Sequence, residues 1–463
     1  MEKLAPSSKI ERVIAFIQQQ IDDRVLVAGA RLPSLRQLAQ QLGVSISTVI
    51  EAYARLVTAQ RIEARAGAGY FVTGIRASYA FTAIAPRLDR EVDPLWISRQ
   101  SLEANSTHLK PGCGWLPEHW MPEDLIRKAL RAVSRSAASH LVGYGQPLGF
   151  TELRHLIAQR MQMTGVMAHP DQILLTDSGT HAIDLVCRLF LNPNDVVLID
   201  DPCYFNFHAL LKTHQVKTIS IPWTMTGPDL EQFSAALAHK PRLYITNSGI
   251  HNPTGGQLSL ATAYQILKMV EQTDLVIVED DIFADLEYVP APRYAALNGF
   301  AQVIQIGSFS KTLSASIRCG YIATQNQWVE QLIDLKIATC FNNNQLNTEL
   351  IYQALTDHAY RKHVEWLKQQ LALAMSKTIQ NLQPLGIDPW IIPQAGMFLW
   401  CRLPDGYSAK EISKICLSQG VILAPGNAFS SHQSAEQFLR FNVAQSADQR
   451  IYQALQRAMQ QLG

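Results

Sequence analysis

Three things are scarce in this 463-residue chain: net charge, long apolar runs and paired cysteines. The formal charge is only +1, so the molecule as a whole carries no strong field for a polyanion or a membrane. No uninterrupted apolar stretch reaches the ~18 residues that span a bilayer. The first residues, MEKLAPSSKIERVIAFIQQQ, lack the apolar core and small-residue cleavage site of a signal peptide. Seven cysteines occur with no CxxC pair, which speaks against a disulfide framework or a zinc knuckle and for reduced thiols in the cytoplasm. The 13 histidines form no HExxH or other metal spacing, so no metal is expected. Internal repeats and low-complexity tracts are absent. What remains is an ordinary folded composition, 47% hydrophobic and 17% charged. The length implies more than one domain.

The small net charge conceals an asymmetry. Residues 1–76 hold ten Lys+Arg against six Asp+Glu, a balance of +4, and the remainder is −3. A basic module at one end suits a partner such as nucleic acid, although chance alone produces such a bias. Its pattern is helical. Ile10, Val13, Ile14, Ile17 and Ile21 share one helical face. Pro33-Ser34 then opens a helix carrying Leu35, Leu38 and Leu42. Gly43 supplies a turn, and Ser45 caps a third helix that buries Val49, Tyr53 and Leu56. Residues 61–65 and 69–73, flanking Gly67, read as a hairpin. Three helices and a hairpin describe a winged helix-turn-helix over residues 1–75.

The pattern weakens over residues 76–106, with Pro86, Pro94 and mixed polarity; this reads as a linker that has room for a short helix. A flexible chain of ~30 residues spans roughly 30 Å, comparable to the ~34 Å between DNA half-sites one turn apart. Residues 107–463 alternate helical stretches with short apolar runs at 172–175, 196–199, 242–246, 275–278 and 303–306. This predicts an α/β domain with a mainly parallel sheet. Its end, about residues 345–463, reads as a small α+β subdomain around Phe398–Arg402 and Phe438–Val443.

Several residues in the large domain carry chemistry. Ser308-Phe309-Ser310-Lys311 follows an apolar strand, with Arg318-Cys319-Gly320 soon after. Lys311 reads either as a catalytic amine or as a lysine snorkelling from a strand end. Asp280 ends another strand, where α/β sheets collect their sites, yet an aspartate there also caps helices. His251-Asn252-Pro253-Thr254-Gly255-Gly256 is by itself a turn. Ser178-Gly179-Thr180 opens a helix, a phosphate site or a simple N-cap.

Together and in this order, with Tyr144-Gly145-Gln146-Pro147-Leu148-Gly149, these motifs resemble fold-type I pyridoxal-phosphate enzymes of the class I/II aminotransferase group. The resemblance implies that Lys311 forms the internal aldimine with pyridoxal 5'-phosphate and that Asp280 pairs with its pyridinium nitrogen. Asn252 would bond the phenolic oxygen, and Tyr204 would stack on the ring. Ser178, Gly179, Thr180, Ser308, Ser310 and Arg318 would hold the phosphate. Tyr144 would reach the phosphate of a neighbouring subunit in a homodimer. Arg440 would bind a carboxylate of the substrate or effector, the alternative being a strand-end salt bridge. The chain departs from the pattern at Phe283, where the group usually places a tyrosine that bonds the phenolic oxygen. Its loss weakens cofactor tuning and puts full transaminase competence in question.

The first module resembles the GntR-type winged helix, on the residues Arg31-Leu32-Pro33-Ser34-Leu35-Arg36, Leu38-Ala39, Leu42-Gly43-Val44-Ser45, Thr48-Val49 and Ala52-Tyr53. This implies that Arg36 and the helix start at Ser45, Ser47 and Thr48 enter the major groove. Arg31 and Ser34 would contact phosphates, and Arg65 with Gly67 would form the wing. Ile46 stands where several relatives carry arginine, so readout leans on Ser47, Thr48 or a thymine methyl contact. The fusion is similar to the MocR subfamily of bacterial transcription regulators. It implies a pyridoxal-phosphate-dependent regulator that binds double-stranded operator DNA as a homodimer. Such a regulator would sense an amino compound through external aldimine formation at Lys311, or sense the cofactor itself. The other reading is a working aminotransferase with an accessory DNA-binding module.

Overall fold

A computed structural model describes residues 8–23, 25–73, 95–104 and 107–463. The chain divides into two compact units, Met1–Ala85 and Pro86–Gly463. Most of the segment read as a linker, residues 76–94 and 105–106 of 76–106, lies outside the described residues.

The first unit has helices α1 (Lys9–Asp22), α2 (Leu35–Leu42) and α3 (Ile46–Thr58), then strands β1 (Ile62–Arg65) and β2 (Gly69–Val72). Local sequence sets each boundary. Ser8, Ser34 and Ser45 accept hydrogen bonds from backbone N–H groups of the turns they cap. Gly43 ends α2 in the left-handed conformation, with φ 64°. β1 and β2 pair antiparallel, Ile62 opposite Val72. Val13, Ile17, Leu38, Val49, Tyr53, Leu56, Ile62 and Val72 close one core. Each such large apolar side chain contributes about 1.5–3 kcal/mol by leaving water. The Tyr53 hydroxyl donates to the Pro33 carbonyl at 2.9 Å, tying α3 to the segment before α2.

The second unit begins with α4 (Trp96–Glu103). Trp96 and Ile97 are buried in a cluster with Phe205, Trp400 and Phe429, so this part of the expected linker is packed. The large sheet comprises β3 (Ile173–Thr176), β4 (Val196–Asp201), β5 (Lys217–Thr224), β6 (Gly227–Pro228), β7 (Leu243–Thr246), β8 (Val276–Asp280), β9 (Val303–Ser308) and β10 (Gly320–Ala323). Its order is β3-β10-β9-β8-β7-β4-β5-β6. β5, β4, β7, β8 and β9 run parallel, β10 is antiparallel to both its neighbours, and β6 is a two-residue edge.

Both faces of this sheet are covered. Leu198, Tyr244 and Ile277 enter one core, while Val197, Ile199, Leu243, Ile245, Val276 and Val278 enter the other. The period of two explains why these strands read as unbroken apolar runs. A four-stranded antiparallel sheet follows: β11 (Asp388–Pro389), β12 (Phe398–Arg402), β13 (Ala424–Pro425) and β14 (Phe438–Asn442), in the order β11-β12-β14-β13. The 25-residue helix His358–Leu382 bridges the two sheets, with Tyr360 and Val364 in one core and Leu367, Leu371 and Met375 in another. Among the described residues no helix is long and apolar enough to cross a membrane.

Candidate functional site

The parallel strands deliver their last residues to one edge of the large sheet. Asp280 ends β8, Ser308 ends β9, and Lys311 follows three residues later. Carboxyl ends of parallel strands are where α/β folds bind ligands. The Lys311 ammonium donates to the Gly114 carbonyl at 2.7 Å and lies 5.8 Å from the centre of the Phe283 ring. Burial lowers its pKa to about 8; Arg440 adds to this and Asp280 opposes it. Burial pushes Asp280 up to about 7, against the pull of nearby donors and of Lys311.

Arg440 sits on β14, fully buried. Its Nη1 donates to Asn252 Oδ1 at 2.9 Å and its Nη2 to the Gly112 carbonyl at 2.8 Å. The guanidinium carbon lies 4.2 Å from the Phe398 ring centre and 4.7 Å from that of Phe429. Its Nε has no partner, and no carboxylate pairs with it among the described residues. Burial draws the guanidinium down to about 10, so it remains a cation at neutral pH. A buried, unpaired, planar cation is suited to a carboxylate.

A second cluster forms at the helix Gly179–Phe190. Ser178 caps it, accepting from His181 N–H at 3.0 Å. Gly320 packs so closely there that a Cβ on it would lie 2.5 Å from the Ser178 carbonyl carbon. Ser308 Oγ bonds Ser310 Oγ at 2.9 Å and donates to the Cys319 carbonyl at 3.0 Å. Arg318 is exposed and forms no ion pair among the described residues. Its positive charge nonetheless acts on Lys311 and on Tyr204.

With this geometry in view, residues 116–457 match the sequence profile described as aminotransferase class I and II. The chain belongs to the class I and II aminotransferase family. Residues 9–72 match the profile of bacterial regulatory proteins, gntR family. The whole chain is 27% identical over 477 residues to the uncharacterized HTH-type transcriptional regulator YdfD of Bacillus subtilis, covering 97% of it. It is 25% identical over 439 residues to the HTH-type transcriptional regulator NorG of Staphylococcus aureus, covering 92% of this chain and 98% of that one. Two solved structures share its fold. Kynurenine aminotransferase of Pyrococcus horikoshii superposes with a TM-score of 0.73 at 23% identity, over 81% of this chain and 96% of that one. The alpha-aminoadipate aminotransferase LysN of Thermus thermophilus gives 0.72 at 24%, with the same coverage.

In this class I and II aminotransferase chain, Lys311, Asp280, Asn252, Tyr204 and Arg440 gather at one place. Tyr204 feels the charges of Arg440, Asp280 and Arg318, and its ring leans on Phe205 and Phe207. Gly179 lies 3.8 Å, measured from a notional Cβ, from the Ser308 side chain. Thr180 is exposed on the first turn of that helix. Tyr144 stands apart: it is 76% exposed, packs its ring on Phe341 and accepts from Asn342 through its carbonyl. Two further groups carry no clear signal in the sequence. Gly112 and Gly114 accept from Arg440 and Lys311, with Cys113 buried between them; only the Pro-Gly-Cys-Gly spelling hinted at a backbone held close to other groups. Asp177, His181 and Cys340 bring one ligand atom each within 4.8 Å of one another, a convergence no local spacing marks. The positive charge of Lys336 acts on Cys340 and opposes a cation there.

In the winged helix, Arg36, Ser47 and Ile46 are exposed near the ends of α2 and α3, Ile46 by 44%. Ser45 bonds Ser47 and Thr48, each at 2.8 Å. Ser34 spends its hydroxyl and its N–H on Gln37. Arg65 pairs with Glu63 at 2.7 Å and covers Phe71, Gly67 makes the turn with φ 72°, and Arg31 bridges to Phe71.

Proposed function

We propose that this chain is a pyridoxal-phosphate-dependent, DNA-binding transcription regulator that responds to an amino compound or to the cofactor itself. The observation that carries this reading is the union in one chain of a GntR-type winged helix with a buried lysine site that has Phe283 in place of a tyrosine. The full-length likeness to proteins named as transcriptional regulators supports it. The protein acts in the cytoplasm, as a homodimer on paired half-sites, with Tyr144 extending to the partner's site.

The residues present fit pyridoxal phosphate. Asp280 is a buried carboxyl that forms no arginine or lysine ion pair among the described residues, and burial has raised its pKa. A cationic ring nitrogen at that point offsets the cost. Lys311 is the buried amine that attaches the cofactor, and about a tenth of it is neutral at pH 7 when its pKa is about 8. Asn252 has its oxygen committed to Arg440 and its amide N–H groups left to donate to the phenolic oxygen. Gly179 beside Ser308, and Ser308 bonded to Ser310, support a phosphate at this helix N-terminus, to which Thr180 and Arg318 would contribute. Bound there, the cofactor supplies an electrophilic carbon for amines and a ring that withdraws electrons.

The protein's own residues then transmit the event. Arg440, held 4.2 Å from the Phe398 ring centre and 4.7 Å from that of Phe429, would bind the carboxylate of an incoming amino acid. Lys311 would hold the cofactor, and the Gly114 carbonyl, 2.7 Å from its Nζ, would accept from the amine whenever it is free. Arg440 and Lys311 therefore bond the same short segment, residues 112–114. That segment runs back along the chain to α4, residues 74–94 and the winged helix. A ligand shifts DNA binding to the extent that it binds two arrangements of this segment unequally.

The test is a spectral titration of the pyridoxal-phosphate form with a panel of amines and amino acids, with and without an oxo-acid acceptor. A selective spectral change without sustained turnover is expected. Multiple turnover by a protein that binds no DNA site selectively would replace this reading with that of an aminotransferase.

A further inference from the structure

A cavity of about 570 Å³ lies between helix Thr151–Met163, the carboxyl ends of β8 and β9, and helix His358–Leu382. Lys311, Asp280, Asn252, Tyr204 and Arg440 do not line it, and Ser308 is the single residue it shares with the phosphate cluster. That volume falls within the roughly 300–1,000 Å³ typical of small-molecule sites. Its walls are largely apolar or aromatic, with Met161, Phe309, Leu355, Val364, Tyr321 and Tyr360 among them.

The polar groups are sorted by charge. Asp281 is satisfied by Arg293, at 2.7 and 3.1 Å, and by Gln305 at 2.8 Å. Asp285 takes one Nη of Arg160 and the Tyr360 hydroxyl, the latter at 2.8 Å. Glu287 shares Arg293, accepting at 2.6 Å through Oε2 while its Oε1 is left without a partner among the described residues, and Glu365 pairs with Lys368, so each of the four lining acids has a cationic partner. Donors remain. Arg160 makes no other hydrogen bond among the described residues, its side chain is 29% exposed, and its other guanidinium nitrogens are not sealed from solvent. The Tyr321 hydroxyl has no partner either, and it too is not sealed. Arg361 stands free at the mouth, and Lys368 is shared with Glu365 at 3.1 Å. An apolar chamber with spare guanidinium and phenol donors matches an anion with a hydrophobic body.

We infer that this cavity is a second small-molecule site, for a monocarboxylate carrying an aromatic or bulky apolar group. Its carboxylate lies on the free edge of Arg160 beside the Tyr321 hydroxyl, and its body lies between the tyrosines and Met161. The site is independent of cofactor chemistry, because such a ligand needs no amino group.

The probe is para-fluorophenylacetate, which cannot react with pyridoxal phosphate, followed by fluorine NMR on the full chain. A shifted, saturable resonance is expected, and phenylacetamide, the neutral isostere, does not displace it. Arg160→Lys keeps the ion pair to Asp285 and loses the planar fork, so it weakens binding roughly tenfold or more. Met163→Trp, at an 80% exposed rim position, narrows the mouth without touching the core and also weakens binding. Arg440→Lys leaves the resonance in place, which separates this cavity from the carboxylate position of the lysine site. Absence of a bound resonance in the unaltered chain, retention of full affinity in Arg160→Lys, or loss in Arg440→Lys instead would overturn the inference.

Discussion

Phe283→Tyr restores a hydroxyl where this chain has only a ring edge, and the consequence can be worked out. Phe283 is 3% exposed, meets Phe398 edge-on at 5.7 Å and lies 5.8 Å from the Lys311 ammonium. If Phe283 holds the position of the family's tyrosine, a hydroxyl added there would donate to the cofactor's phenolic oxygen in a buried site. A hydrogen bond to a charged group is worth about 1.5–3 kcal/mol. At about 1.36 kcal/mol per pKa unit, that equals roughly one to two units. The sign follows from where the negative charge sits. The donor stabilises the phenolic oxygen most when the Lys311–cofactor linkage has lost its proton, so the variant titrates lower. The assay is a pH titration of the visible absorbance of the pyridoxal-phosphate form, variant beside parent. A midpoint that stays put or rises would refute the assignment of Phe283 to the tyrosine position.

Further outcomes follow from the same geometry. Lys311 in the cofactor-free protein is expected to react with pyridoxal phosphate with a midpoint near its pKa of about 8, slower below it as the amine protonates; a midpoint near ~10.4, the value of an ordinary lysine, contradicts its burial. If Asp280 pairs with the ring nitrogen as proposed, Asp280→Ala should weaken cofactor retention measured by dialysis by roughly 10- to 100-fold. Arg36→Ala should weaken specific DNA binding by about 1–3 kcal/mol if Arg36 reads a guanine edge. Equal loss on random DNA makes it a phosphate contact. Tyr53→Phe strips the hydrogen bond to the Pro33 carbonyl and should lower the stability of the winged helix by about 1 kcal/mol in thermal unfolding.

The winged helix was legible because its determinants are local. Ser34, Gly43 and Ser45 act within a few residues of themselves, and the faces of α1 and α3 repeat at helical spacing. The parallel strands were legible for a related reason: burial on both faces writes unbroken apolar runs. What stayed hidden depends on distant pairing. Lys311 and Gly114 are 197 positions apart, and Arg440 and Gly112 are 328 apart. Glu279, next to Asp280 in sequence, accepts from the Tyr294 and Ala295 N–H groups at 2.8 and 3.1 Å, securing the helix Tyr294–Asn298, a role set by residues fifteen and sixteen positions away. Arg293, fully buried between Asp281 and Glu287, had no motif to announce it. The packed α4 was obscured by mixed polarity, since only Trp96, Ile97, Gln100 and Ser101 of its eight residues turn inward.

If the state of the lysine site sets DNA affinity, binding to a protein-selected DNA fragment at fixed salt should distinguish four forms: cofactor-free, pyridoxal-phosphate-loaded, loaded with the amine that gives the spectral change, and Lys311→Ala. Affinity or half-site spacing is expected to differ between the loaded states, and Lys311→Ala is expected not to respond to the amine. Identical binding by all four forms would overturn the proposed regulation.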